Sequence, residues 1–327
     1  MTDPTHAATW AERYSRQILL KEIGGEGQRT LNDARVGILG SDGAARAALL
    51  YLAGAGVGEV RLADDLTEPR EAMAHWAREL NPTIAIRATP APTTPEALAA
   101  WLDGLGLVID CRQDWPGLNP LCHERVIPLL TNGFAADGRG WLAGSRAGSD
   151  PALPCLACQP LPAPAPTPDP LWFSLWQGLA GTMLATEATK ALLRIGAPLL
   201  WSHTFTLDPA TSDPHTVTRE RNPACPVCAQ APRPILAATP ALLPEPAATP
   251  VEATIDISRE TCPMTFVRVK LKLATLAPGQ RLRVRLSGGE PLHNVPLSLR
   301  DLGFQVSAPW QEGELYGLLV TKPDHFK

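Results

Sequence analysis

The stretch Arg35-Val36-Gly37-Ile38-Leu39-Gly40-Ser41-Asp42-Gly43-Ala44-Ala45, running on into the helix-prone segment Arg46 to Ala55, decides the fold. Residues 35–40 form an apolar run with no polar alternation, the pattern of a strand buried on both faces of a parallel sheet. The glycines that follow turn the chain sharply into a helix. A second strand, Val60 to Ala63, ends at Asp64, 24 residues after Gly40. Strand, glycine turn, helix and strand with an acid at its tip make a βαβ unit. The alternation continues with a helix over 68–80, a strand over 83–88, a helix over 95–102 and the strand Leu107-Val108-Ile109-Asp110. This order predicts an α/β fold with a Rossmann-like, doubly wound sheet. Two helices, over 9–20 and 28–33, precede it.

Further along, Cys155-Leu-Ala-Cys158 and Cys225-Pro-Val-Cys228 supply four thiols in two C-x-x-C pairs with 66 residues between them. Four thiolates are the full set for a tetrahedral structural Zn²⁺, and the two-residue gap lets both sulfurs of one turn face one ion. The wide separation predicts a metal that staples two distant parts of one domain. A redox pair is the competing reading, but such a motif does not ordinarily come twice.

The 327 residues allow two domains, and 45% hydrophobic content suffices for a core. The formal net charge of -4 provides no basic field for nucleic acid. No segment reaches the ~18 apolar residues that cross a bilayer, and residues 1–11 do not read as a signal peptide. Seven cysteines in a zinc pattern suit a reducing cytoplasm. Residues 159–170 hold six prolines and cannot form a regular element. A long helix is expected over 171–195. The Ala/Pro-rich segment 231–252 reads as a linker, which divides the chain into domains 1–230 and 253–327. The second has the order βαβαββ of a two-layer α+β domain. Its strands are expected over 253–257, 281–286, 304–308 and 315–321, and its helices over 263–276 and 291–302. Cys111 and Cys122 are read as core residues.

Arg13-Tyr14-Ser15-Arg16-Gln17-Ile18-Leu19, Gly27-Gln28, Ala34-Arg35-Val36 and Tyr51-Leu52-Ala53-Gly54-Ala55-Gly56-Val57-Gly58, together with the four cysteines, resemble the ThiF/MoeB/HesA family, relatives of ubiquitin-activating enzymes. The resemblance covers roughly residues 10–229. It implies a nucleotide-binding α/β domain, usually a homodimer, that uses ATP and Mg²⁺ to adenylate the C-terminus of a ubiquitin-like protein, often a sulfur carrier. By this resemblance Gly40, Asp42 and Gly43 lie at the phosphate loop and Asp64 at the ribose. Arg16 matches an arginine donated across the dimer, and Asp110 or Asp114 stands near the place of a Mg²⁺-holding acid that aligns with Gln113. The chain departs from the family at these points. Two loop glycines are replaced, Asp42 adds a negative charge, the segment after Asp64 is shorter, and the crossover loop lacks a cysteine. The expectation is a degenerate adenylating domain.

Cys262-Pro263 opens the helix of the second domain, with proline at its favoured first position. A thiol there feels the positive end of the helix dipole, which favours thiolate. Asp256, Cys262-Pro263-Met264, Leu276-Ala277-Pro278-Gly279, Asn294-Val295-Pro296 and Leu302-Gly303 resemble the TusA/SirA sulfur-carrier family, whose cysteine carries persulfide. Thr265 and Arg259 replace a family proline and glycine. The combined expectation is a sulfur relay: Cys262 carries sulfur from a donor protein to an acceptor while the first domain docks a partner. Two alternatives remain. One is an active adenylyltransferase that also sulfurates its ubiquitin-like carrier, and the other is a zinc-stabilised binding module without catalysis.

Overall fold

The computed structural model describes residues 10–112, 115–146, 148–166, 168–229, 253–260 and 264–323. Gln113, Asp114, the expected linker and Cys262 lie outside them. The chain divides into two compact units, one spanning Thr30–Thr239 and the other combining Met1–Arg29 with Pro240–Lys327. The opening residues, which the sequence places with the first domain, thus group with the C-terminal residues.

In the larger unit the elements run α2 (Gly24–Asp33, entering from the other unit), β1 (Arg35–Leu39), α3 (Gly43–Ala55), β2 (Glu59–Ala63), α4 (Thr67–Leu80), β3 (Ala85–Thr89), α5 (Pro95–Leu102), β4 (Leu107–Asp110) and α6 (Trp115–Glu124). Then follow β5 (Leu129–Phe134), β6 (Gly140–Ser145), α7 (Pro170–Leu193), β7 (His203–Asp208) and β8 (Asp213–Thr218). The eight strands form one sheet in the order β3-β2-β1-β4-β5-β6-β7-β8. Neighbours from β3 through β5 are parallel, and β5 to β8 pair antiparallel. The order reverses between β1 and β4, the topological switch point at which α/β sheets open a crevice.

The apolar run in β1 feeds both faces. Val36 and Ile38 enter one buried cluster with Ile109, Leu130 and Trp176, while Leu39 enters the other with Val108, Leu102 and Trp141. Gly37 makes room for Trp101, since a Cβ there would sit 2.5 Å from the indole ring. Two sequence expectations shift. Helix α3 begins at Gly43 rather than Arg46 because the Asp42 side chain accepts a hydrogen bond from Ala45 N and caps it. The first helix is broken at Tyr14, a 1% exposed ring packed edge-on to Trp10, and resumes as α1 (Ser15–Leu19). The antiparallel half of the sheet, β5 to β8, is not legible as strands in the sequence.

The smaller unit has β9 (Ala253–Asp256), α8 (Met264–Ala274), β10 (Arg281–Leu286), α9 (Glu290–Asp301), β11 (Gln305–Val306), β12 (Trp310–Glu312) and β13 (Leu315–Thr321). Its sheet order is β11-β13-β10-β9, with β12 on β13. Val269 and Leu273 of α8 and Val295 of α9 pack with Leu282, Val284 and Leu286 of β10 and Leu318 of β13. Ala11, Tyr14 and Ile18 bury against Val267 of α8. Lys270 of the same helix reaches the carbonyls of Ile18, Leu19 and Leu20 at 2.8, 3.4 and 3.3 Å. Its ammonium thus closes carbonyls that the end of α1 leaves open. Burial lowers the Lys270 pKa, opposed by the charge of Glu22.

Candidate functional site

The two C-x-x-C turns meet. All four sulfurs lie within 4.8 Å of one another. Cys155 and Cys225 are 3.5 Å apart, Cys158 and Cys228 3.3 Å, and Cys155 and Cys158 3.9 Å. A tetrahedron with metal–sulfur bonds of ~2.3 Å has sulfur separations of about 3.8 Å, so the cluster could hold a metal ion. Burial raises the thiol pKa of Cys155 and Cys228, and hydrogen-bond donors oppose the rise. Asn119 Nδ2 and the Ala157 amide donate toward Cys155 Sγ at 3.6 and 3.4 Å. Arg219, 4% exposed, donates to the carbonyls of Cys155, Gly144 and Leu200. Burial lowers its pKa to about 10, and the charges of Cys155 and Cys158 work the other way. A buried cation that feels the charges of Cys155 and Cys158 offsets part of the negative charge that a four-thiolate metal site would carry.

At the switch point, Gly40, Asp64 and Cys111 follow the ends of β1, β2 and β4, because Leu39 pairs in register with both Ala63 and Asp110. Gly40 has φ +109, a left-handed conformation that glycine tolerates, and a Cβ there would come within 3.3 Å of Cys111 Cβ. Asp64 Oδ1 accepts from the Leu66 amide at 2.7 Å, and Arg70 Nη1 donates to the Asp64 carbonyl at 2.6 Å. Asp110 is fully buried, with Oδ1 accepting from the Arg112 amide at 3.1 Å. Burial raises the Asp42 pKa, and Asp64 adds to the effect. Of the sequence-expected residues, Gly40, Asp42, Gly43, Asp64 and Asp110 gather here. Asp114 lies outside the described residues, and Arg16 lies on α1 in the other unit.

The first turn of α3 is already engaged. The Ala44 amide donates to Gln177 Oε1 of α7 at 2.8 Å, and the Ala45 amide to Asp42 Oδ1 at 2.9 Å. Of the remaining cysteines, Cys111 and Cys122 are 3% and 2% exposed and burial pushes both thiols up, Cys122 to about 12. A cavity of about 360 Å³ opens beside β6 to β8, lined by Trp141, Asp137, Arg139, Thr206 and His215 among others.

The chain matches the ThiF family over residues 14–68 and "Sulfurtransferase TusA" over residues 253–322. It is 30% identical over 250 residues to a SAMP-activating enzyme E1 of Haloferax volcanii, covering 68% of this chain and 90% of that protein. The chain belongs to the ThiF family. Other relatives are a sulfur carrier protein adenylyltransferase of Thermus thermophilus, 29% identical over 68% of this chain and 92% of its own, and the adenylyltransferase and sulfurtransferase MOCS3 of Anopheles gambiae, 29% identical over 67% of this chain and 55% of its own. A crystal structure of E. coli MccB with ATP shares the fold, with TM-score 0.54 and 17% identity over 66% of this chain and 74% of that one. This ThiF-family chain thus carries a TusA domain at its C-terminal end, and its relatives are adenylyltransferases and sulfurtransferases. The MccB likeness bears on the fold alone.

Two residues of this site escape a reading of the sequence. Arg219 and Gln177 are single polar side chains in no spacing pattern. The one available signal for Gln177 is its place as the lone amide in the apolar first half of α7.

Proposed function

We propose that the chain sulfurates a ubiquitin-like sulfur carrier, with the ThiF-family domain activating the carrier's C-terminus and Cys262 delivering sulfur. The observation that carries this reading is the presence of a ThiF-family match and a TusA match in one polypeptide. In the first step a carrier carboxylate oxygen attacks the α-phosphorus of ATP, forming an acyl-adenylate and releasing pyrophosphate. In the second the terminal sulfur of a Cys262 persulfide attacks the acyl carbon and displaces AMP. Two equivalents of a thiol reductant then cleave the resulting acyl disulfide and are oxidised to a disulfide, leaving a thiocarboxylate on the carrier and a thiol on Cys262. Joining both functions raises the local concentration of persulfide at the adenylate.

The parts take these roles. Gly40, Asp42, Gly43 and Asp64 frame the nucleotide crevice, and Asp110 or Asp114 takes the place of the Mg²⁺-holding acid. Cys155, Cys158, Cys225 and Cys228 hold a structural Zn²⁺, which cross-links the crossover segment to the chain after β8. Leu171, Leu175 and Leu179, at 59, 50 and 45% exposure, recur every four residues on α7 and suit a homodimer face. Among the described residues no helix is long and apolar enough to cross a membrane.

A second reading is favoured by the engaged first turn of α3. If that turn never releases its amides, the domain docks a carrier or other partner without ATP, and Cys262 remains a persulfide relay from a donor protein. Carrier-dependent exchange of labelled pyrophosphate into ATP separates the two. Exchange above background supports activation. None at saturating carrier and MgATP leaves the relay.

A further inference from the structure

Helix α7 lies unusually close to the first turn of α3. At Gly181 a Cβ would meet the Ala44 carbonyl at 2.1 Å and Ala47 Cβ at 2.7 Å, and at Gly43 a Cβ would meet Gln177 Cβ at 2.9 Å. Two glycines on facing surfaces therefore let the helices approach backbone to backbone. The result is that Gln177, only 5% exposed, puts Oε1 2.8 Å from the Ala44 amide. Asp42 takes the next amide, that of Ala45. The first amides of a helix are the donors to which a nucleotide's phosphates bind when a glycine turn opens into the helix.

We propose that Gln177 is a specificity-setting plug, whose carboxamide oxygen stands where a phosphate oxygen must enter and has to be displaced before polyphosphate binds. The proposal rests on the nucleotide-activating reading above. An acceptor that displaces Gln177 must compensate a buried amide and sit beside the Asp42 carboxylate. The plug therefore favours a polyphosphate whose charge is neutralised by a divalent cation and disfavours free anions. Gln177 acts by occupying the donor; it is not itself a reacting group.

The test uses the full-length protein, with Gln177→Met to keep bulk but remove the acceptor and Gln177→Glu to keep the acceptor and add charge. Two quantities are read: deuterium exchange at the Ala44 amide without ligand, and calorimetric affinity for MgATP. The expected result is faster exchange at Ala44 in Gln177→Met with MgATP affinity about tenfold tighter than wild type, equivalent to about 1.4 kcal/mol, and weaker MgATP binding in Gln177→Glu. Equal MgATP affinity in wild type and Gln177→Met overturns the plug while nucleotide activation stands. No binding by either, with the Ala44 amide freed, overturns the plug, and absent pyrophosphate exchange then removes the activating reading as well.

Discussion

The four-cysteine cluster and the turn after β1 belong to the same unit, yet they satisfy buried polar atoms in opposite ways. At the cluster, four sulfurs converge from two distant turns to separations a single metal ion can span, and Arg219 supplies the compensating charge. At the turn, the Ala44 and Ala45 amides of α3 are taken by the chain's own Gln177 and Asp42. One region could hold an ion, and the other is closed on itself.

The contrast can be broken from either side. The largest effect is expected at the cluster. Cys225→Ser should abolish stoichiometric zinc, measured by metal analysis. It should also lower the unfolding midpoint of the larger unit by roughly 8–16 °C, taking about 4 kcal/mol for a metal held at 1,000 times its dissociation constant and 2–4 °C per kcal/mol. Retained metal and an unchanged midpoint would show that Cys225 does not hold it. Next, Arg219→Met strands the carbonyls of Cys155, Gly144 and Leu200. Chemical denaturation should show a loss of roughly 2–4 kcal/mol, and chelators should strip the metal faster than from wild type.

The third change addresses the closed turn. Gly181→Ala forces α7 away from Ala44, and overpacking of this kind costs about 1–3 kcal/mol. The displaced Gln177 should expose the Ala44 amide to exchange, and an Ala44 amide as protected as in wild type would show that the close approach does not hold the plug. The smallest effect is expected from Asp42→Asn, which preserves a helix cap. Burial raises the Asp42 pKa in the folded chain. The folded state therefore binds this proton more tightly than the unfolded state, and the carboxyl group's contribution to stability is present at low pH and lost as pH rises through the folded pKa. Asp42→Asn should melt higher than wild type at neutral pH, with the gap closing as pH falls into the ordinary carboxylate range. A gap independent of pH would mean that Asp42 is not strained by burial.

How much of this is legible in the sequence differs between the two regions for a physical reason. The paired C-x-x-C spacing encodes geometry directly, because each turn fixes two sulfurs, so the ligand set can be read before the fold. The β1-α3-β2 unit is equally readable from its apolar run and glycine turn. The antiparallel strands are not, because Thr131-Asn132-Gly133 and Gly140, Gly144 dilute the strand pattern with residues that usually mark turns. Gly133 and Gly140 are there because Trp141 and Trp176 occupy the space a Cβ would fill. Gln177 lies 133 residues from its partner, and Arg219 lies 19 to 75 residues from its three, so local spacing carries no trace of these contacts. The Arg16 helix reads as part of the first domain, but its apolar side, Ala11, Tyr14 and Ile18, is buried on Val267.

The central claim, that one chain both activates and sulfurates a carrier, is tested most directly on the intact product. Full-length protein loaded with persulfide would be mixed with a ubiquitin-like carrier ending in Gly-Gly, with and without MgATP, then treated with thiol reductant and examined by intact-protein mass spectrometry. The account predicts conversion of the carrier's carboxylate to a thiocarboxylate only with MgATP, lost in Cys262→Ser. A carrier that stays a carboxylate with MgATP present, while persulfide remains loaded on Cys262, would contradict it.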